Sequence, residues 1–452
     1  MSPNRPINAD VPVPEPPATA TRAPAGKAAA PASKPAPRRR SRRRQPIPGA
    51  LKAIAALVLV AVVFIVAAIV GGSSGGEQES GRAGPAPTPA PAGESTAAET
   101  ASGQSAEGLG FPTVATGNTT RVGGSDPAAN AAAVALAVFP STTPAQQPAA
   151  VTLVGDDDWA AGIAAAVLMA APVRAPVLVS GADEMPEPTA AALEALDPQG
   201  DESTGGSAIF AIGDVAGPEG EETTRVKAGS PAATAAAIAA LRDRLFQAPP
   251  AHFLLAPSDL PELAMPAAAW AARSGDPVLF AAGDSLPRPT VAALERHPKA
   301  PVYVLGPSSA ISSKAVRQIG KLGHEAHRVS GEDPVVNAVA FARYGDGGFG
   351  WNVNDPGHGF VIARTDSPLD AAAAAPLSGS GTWGPLLLTD SATTLPAPLR
   401  EYFLDVKPGY TTNPTRAFYN HVWVIGDQEA IDVNQQAEVN ALAELAKIGG
   451  EG

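Results

Sequence analysis

The chain contains 452 residues, with 44 acidic and 32 basic side chains and a formal net charge of -12. A hydrophobic share of 45% is ample for a buried core, which excludes a wholly disordered protein. The absence of cysteine excludes disulfides, thiolate zinc sites and a cysteine nucleophile, and none of the six histidines occurs at HExxH spacing, so a histidine metalloenzyme is not expected.

The charge is unevenly distributed along the chain. Residues 1–52 contain eleven basic and two acidic side chains, which gives them a charge of +9 and leaves -21 on the rest. Residues 1–50 are rich in Pro, Ala and Arg and have few large apolar groups, so they predict a disordered cytoplasmic tail. The basic block at residues 38–44 resembles a nucleic-acid patch, but a charge block that stops membrane translocation explains it fully, and no nucleic-acid partner is predicted.

The next segment predicts a membrane anchor. Residues 53–70 are eighteen apolar residues without a charge, and as a helix they would span roughly 27 Å, close to the hydrocarbon core of a bilayer. We predict a transmembrane helix over residues 51–71, with the basic N-terminus in the cytoplasm and the rest outside the membrane. A cleaved signal peptide is the alternative, and the long basic region before the helix disfavours it. Residues 72–115 are rich in Pro, Ala, Gly and Ser and predict a flexible linker.

The outer region repeats internally. The segments RVGGSDPAANAAA, RVKAGSPAATAAA and RVSGEDPVVNAVA begin at Arg121, Arg225 and Arg328. Three more landmarks recur in the same order: APVLVS, DPVLFA and GPLLLTD; MPEPTAAALEAL, LPRPTVAALERH and LPAPLREYFLDV; AIFAIGD, PVYVLGP and HVWVIGD. A period of about a hundred residues indicates a repeated domain rather than a solenoid. The predicted repeats are residues 116–218, 219–323 and 324–452.

Each landmark predicts a local structure. Asp126, Ser230 and Asp333 each precede a proline, the arrangement of a helix N-cap followed by Pro in the first turn. The Pro-x-Pro segments start further helices in the same way. Uninterrupted apolar runs predict buried strands at 150–154, 176–180, 252–256, 301–305, 359–363, 385–389 and 421–425. This alternation of strand and helix predicts an α/β protein with parallel sheets and right-handed crossovers.

The pattern resembles the cell-wall-binding repeat 2 family of Gram-positive surface proteins over residues 116–448. The resemblance implies three tandem α/β repeats with nucleotide-binding-like parallel sheets, in a pseudo-threefold arrangement, and non-covalent attachment to anionic wall polymers. The family's Arg-Tyr pair is replaced here by Pro127-Ala128, Pro231-Ala232 and Pro334-Val335. Its Asp-Ala pair at the start of the second helix is kept only at Asp370-Ala371.

Acidic residues follow several predicted strands, at the edge where open parallel sheets bind ligands. The candidates for ligand binding are Asp158, Asp259, Asp366 and Asp370. One interpretation is an oxygen-rich site for a hard cation that bridges to an anionic glycan. The other is that each aspartate caps the helix that follows it. No cofactor is predicted.

The repeated arginines are the other candidates. Arg121, Arg225 and Arg328 could donate two hydrogen bonds to a phosphate or carboxylate, or could form structural contacts within the sheet. Because the outer region carries -21, it repels polyanions beyond a Debye length of about 8 Å. An anionic polymer would therefore need a local basic cleft or bridging cations.

No GxSxG, SxxK, GxxxxGK[ST] or GxGxxG motif is present in a catalytic context, so we predict a protein that is not an enzyme. The unusual loop at residues 345–358 either stacks on a sugar ring or covers the edge of the core. The resulting hypothesis is a membrane-anchored extracytoplasmic module that engages the cell wall or an envelope polymer. A scaffold that binds another envelope protein is the alternative, and an unrecognised hydrolase is a third.

Overall fold

A computed structural model describes residues 115–227 and 229–448. Within these residues, none of the helices combines the length and the apolarity needed to cross a bilayer. The predicted tail at 1–50, the predicted membrane helix at 51–71 and nearly all of the predicted linker at 72–115 lie outside the described residues.

The strands form parallel sheets. They are β1 (Thr119–Val122), β2 (Val151–Gly155), β3 (Val177–Ser180), β4 (Ile209–Ile212), β5 (Thr223–Val226), β6 (Phe253–Pro257), β7 (Val278–Ala281), β8 (Val302–Leu305), β9 (Ala326–Val329), β10 (Gly359–Arg364), β11 (Leu386–Thr389), β12 (Gly409–Tyr410), β13 (His421–Ile425) and β14 (Ala446–Lys447). Over the described residues, three four-stranded sheets have the orders β3-β2-β4-β5, β7-β6-β8-β9 and β11-β10-β13-β1, and β12 pairs with β14. The predicted class, parallel α/β sheets in tandem, is confirmed.

Helices connect the strands and cover the sheets. They are α1 (Pro127–Val138), α2 (Trp159–Ala165), α3 (Glu187–Leu196), α4 (Pro231–Phe246), α5 (Pro261–Ala264), α6 (Pro266–Ser274), α7 (Arg288–Glu295), α8 (Ser313–Lys321), α9 (Pro334–Arg343), α10 (Leu369–Gly379), α11 (Ala397–Asp405) and α12 (Val433–Ala443). The predicted N-caps of α1, α4 and α9 are confirmed, because the side chains of Asp126, Ser230 and Asp333 accept hydrogen bonds from backbone N–H groups of the first turn.

Each sheet is completed by the Arg-Val strand of the next sequence repeat. β5 pairs with β4, and β9 pairs with β8. The third sheet takes its edge strand from the other end of the folded region, because β1 pairs with β13 and places Arg121 opposite Val424. We therefore define the first unit as residues 127–226, the second as residues 231–329, and the third as residues 334–443 together with β1.

The three units meet through the helices that follow their first strands. Helix α10 packs against α6 and α2, and α6 also contacts the 3-10 turn that follows α2. Small residues allow the helices to approach closely: a Cβ added at Gly162 would lie 3.1 Å from the Cβ of Ala372, and one at Gly379 would lie 2.7 Å from the carbonyl oxygen of Ala272. The alanine-rich sequence therefore serves contacts between helices as well as contacts with the sheets.

The unusual loop of the third unit packs on the second unit. The ring of Phe349 is 1% exposed and lies parallel to the ring of Tyr303 in β8, with 3.5 Å between their centroids. The hydroxyl of Tyr303 donates a 2.5 Å hydrogen bond to Asp346, and Trp351 packs edge-on against Trp270 of α6. These contacts match the core-covering alternative for this loop.

The close approach of the central helices predicts opposite effects for two Gly-to-Ala substitutions. Gly379→Ala should destabilise the fold by about 1–3 kcal/mol, since its methyl group would meet the backbone of α6. Gly320→Ala in α8 is the matched control: nothing lies within 4 Å of its added Cβ, so it should stabilise the helix by about 0.5–1 kcal/mol. Denaturant unfolding of the full chain measures both, and equal effects would contradict the proposed role of Gly379.

Candidate functional site

The candidate site lies at the carboxyl ends of the third and fourth strands of each unit, where each of the repeated arginines is found. The three arginines belong to three different sheets: Arg225 to the first, Arg328 to the second and Arg121 to the third. The three positions differ in what surrounds the guanidinium.

Arg121 is 2% exposed and its guanidinium is bonded to the loop that follows β13. Its Nη1 donates to the carbonyl oxygens of Gly426 at 2.9 Å and Asp427 at 2.5 Å, and its Nη2 donates to that of Ile431 at 2.5 Å. Its Nε and Nη2 also donate to the side-chain oxygen of Gln436 in α12. Burial lowers the pKa of Arg121, and the nearby carboxylates of Asp427 and Asp432 oppose that shift.

Arg328 makes the same two main-chain contacts in the second unit. Its Nη1 donates to the carbonyl oxygen of Gly306 at 2.6 Å, and its Nη2 donates to that of Ile311 at 2.5 Å. Gly306 and Ile311 follow β8 at the same spacing at which Gly426 and Ile431 follow β13. In both units, therefore, the repeated arginine holds the loop between the third strand and the next helix.

Arg225 lies in a different environment. It is exposed, and its guanidinium makes no hydrogen bond or ion pair with the residues that the structure describes. It lines an open notch of about 590 Å³ together with Asp214, Val215 and Lys227. The reason is local: in residues 213–222, all of which are described, β4 is joined to β5 without a helix.

The candidate aspartates are not gathered at one place. Asp158 is the N-cap of α2 and accepts a 2.9 Å hydrogen bond from the N–H of Ala161, whereas Asp259 is exposed. Asp366 pairs with Arg364, whose guanidinium lowers the pKa of that carboxyl. Within residues 115–227 and 229–448, no group of three or more His, Asp or Glu side chains has an arrangement that could hold a metal ion.

Asp370 is buried between two units. It is 3% exposed, and its Oδ1 accepts a 2.9 Å hydrogen bond from Nδ2 of Asn130 in α1. The Oδ1 of Asn130 accepts a 2.8 Å hydrogen bond from the N–H of Gly124, so it also fixes the loop before α1. Burial raises the pKa of Asp370 to about 6, and the carboxylates of Asp366 and Asp126 add to that effect.

Sequence reasoning did not select Asn130, although the signal was present in the repeat. The tenth residue of each Arg-Val segment is Asn130, Thr234 or Asn337, and each side chain accepts a hydrogen bond from a glycine N–H in the preceding loop. The Nδ2 of Asn337 donates to the carbonyl oxygen of Leu263 in α5. Asn337 therefore reaches the second unit as Asn130 reaches the third.

Solved structures with this fold include two from Clostridium difficile. No family model matches the sequence, and no curated protein matches it. Cwp6 from Clostridium difficile matches with a TM-score of 0.57 and 20% sequence identity, over 72% of this chain and 48% of that chain. Cwp8 from Clostridium difficile matches with a TM-score of 0.54 and 19% identity, over 72% of this chain and 52% of that one. The chain thus spans about half the length of each of these structures.

The contacts of the arginines predict that Arg121 stabilises the fold and that Arg225 contributes little to stability. Arg121→Lys should lower the free energy of unfolding by about 2–3 kcal/mol, because a buried lysine cannot reproduce the forked hydrogen bonds to three carbonyl groups. Arg225→Lys, the matched control at an exposed position of β5, should change it by less than about 0.5 kcal/mol. Denaturant titration of the full chain makes the comparison, and similar losses in both variants would contradict it.

The raised pKa of Asp370 predicts a stability that depends on pH. Between about pH 4 and 6 the folded state keeps a proton on Asp370 that the unfolded chain has released, so the stability that this group contributes is fully present below pH 4 and is lost as pH rises through 6. Asp370→Asn, which keeps an acceptor for Asn130, should remove this loss and be more stable than the wild type by about 3 kcal/mol at pH 7. Asp259→Asn is the exposed control. If the difference in the free energy of unfolding between wild type and Asp370→Asn stays constant from pH 4 to 7, the effect is disproved.

Proposed function

We propose that the chain is a membrane-anchored, extracytoplasmic binding module without catalytic activity, which engages the cell wall or an envelope polymer through its α/β units. The observation that carries the proposal is the fold shared with Cwp6 and Cwp8, which are cell-wall proteins. The resemblance of the three sequence repeats to cell-wall-binding repeats supports it independently. Anchoring rests on the apolar segment at residues 51–71, and the basic residues before it favour an extracytoplasmic location for the folded units.

The notch at the end of the first sheet is the proposed polymer contact. Two of the repeated arginines already donate to main-chain carbonyls, whereas Arg225 is exposed beside Lys227. This pair is a local basic site on a domain that is otherwise strongly acidic. A phosphate or carboxylate of an anionic polymer would be held by the fork of Arg225 at short range, where the repulsion from distant acids is screened.

Retention on purified cell-wall sacculi tests the proposal. We expect the full chain in detergent micelles to bind sacculi, and the double variant Arg225→Ala/Lys227→Ala to bind about tenfold more weakly, a loss of 1.4 kcal/mol. Arg317→Ala/Lys321→Ala, which removes two exposed charges from α8, is the matched control and should bind like the wild type. Rising NaCl should weaken the wild type more than the notch variant.

Two variations of the retention experiment identify the chemical class of the ligand. Sacculi stripped of anionic polymers should lose the Arg225-dependent part of binding, whereas a glycan ligand would leave it unchanged. Calcium is varied in parallel, because a cation-bridged polymer would bind only when calcium is present. No retention with or without calcium would overturn the proposed function.

A further inference from the structure

The first unit lacks a helix that the other two units have. Helix α8 lies between β8 and β9 in the second unit, and α12 follows β13 in the third. In the first unit, residues 213–222 connect β4 to β5 without a helix. A helix therefore covers this part of the sheet in the second and third units, and the first unit has no helix at this position.

The apolar contacts of the missing helix are known from the other two units. In the second unit, Ile311, Ala315 and Ile319 belong to one buried cluster with Leu286, which precedes α7, Leu294 of α7 and Val302 of β8. In the third unit, Ile431, Val439 and Ala443 belong to one cluster with the repeat-equivalent residues Leu395, Phe403 and Val422. In each unit the helix contributes two small or aliphatic residues spaced four apart on one helix face, Ala315 and Ile319 or Val439 and Ala443, and an isoleucine just before the N-cap adds a third contact.

The equivalent residues of the first unit line an open groove. They are Met185, Leu193 and Ile209, and with the exposed Ala190 of α3 and Pro218 of the connection between β4 and β5 they border a groove of about 400 Å³, at whose base Leu193 and Ile209 are buried. The groove is also bordered by three acidic residues, Glu194, Asp197 and Glu221. Its floor is thus apolar and its rim is negatively charged.

Arg225 adds a polar contact point that the other units already use. Its equivalents, Arg328 and Arg121, donate to the carbonyl oxygens of Ile311 and Ile431, the residues just before the N-caps of α8 and α12. The guanidinium of Arg225 is exposed at the same position of the first unit. An incoming helix could accept the same hydrogen bond at the residue before its N-cap.

We propose that this groove is a docking site for a basic amphipathic helix of another protein, which completes the first unit as α8 completes the second. The acidic rim favours a basic helix, and α8 itself, with Lys314, Arg317 and Lys321, shows that such a helix is compatible with an arginine on the neighbouring strand. Arg225 would serve both proposals, but the residues that line the groove are not those that line the notch, so each surface can be altered without changing the other.

Peptides copied from this chain serve as probes. A fluorescent peptide of residues 307–324, which contains the basic α8, should bind the full chain in detergent micelles, and a peptide of residues 427–445, which contains α12 and carries only acidic charges, should bind at least about tenfold more weakly. Ala190→Trp fills the groove and should weaken binding of the α8 peptide by about tenfold or more. Ala195→Trp, on an exposed position of the same helix that does not line the groove, is the matched control and should leave it unchanged.

A graft tests the groove without requiring association. Replacing residues 214–222 by residues 307–325 would place the α8 helix in the first unit, and we expect this variant to melt several degrees higher than the wild type and to lose binding of the α8 peptide. No peptide binding together with a graft that lowers the melting temperature would overturn the proposal. So would a dimer of the full chain that Ala190→Trp dissociates, since the occupant would then be a second copy. Sacculus retention is measured separately, so either proposal can fail alone.

Discussion

The close packing of α2, α6 and α10 is the constraint on which the rest of the molecule depends. These helices approach so closely that an added methyl group at Gly379 would meet the backbone of its neighbour. Each helix must also cover its own sheet, so alanine and glycine are favoured on both faces. Once the three helices are in contact, the direction of each sheet is set, and the carboxyl ends of its strands face the loops that carry the repeated arginines.

The exchange of edge strands ties the units together. Each sheet is finished by the strand that begins the next repeat, and the third is finished by β1, from the opposite end of the folded region. Side chains reinforce the links: Asn130 reaches Asp370 of the third unit, and Phe349 is buried on the second. Buried polar groups are costly unless they are paired, so these contacts favour one arrangement of the units over others.

Departure from the repeat, rather than the repeat itself, creates the candidate binding surfaces. The guanidinium groups of Arg121 and Arg328 donate hydrogen bonds to the loops before α12 and α8. In the first unit, which lacks the corresponding helix, Arg225 is exposed and a groove lies beside α3. A wall polymer at the notch and a partner helix in the groove would both use the first unit.

The sequence by itself determined the seven strands β2, β3, β6, β8, β10, β11 and β13, the N-caps of α1, α4 and α9, and the parallel α/β class, because apolar runs and Asp-Pro or Ser-Pro pairs act locally. It did not indicate the Arg-Val strands β1, β5 and β9 that complete the sheets. It also indicated that the arginines at 121, 225 and 328 are equivalent. Only the tertiary structure decided that they differ. The main-chain acceptors of Arg121 lie more than 300 residues away in the sequence, whereas Arg225 is exposed because no helix lies between β4 and β5. The buried environment of Asp370 was likewise decided by packing against a helix 240 residues distant, which no local pattern encodes.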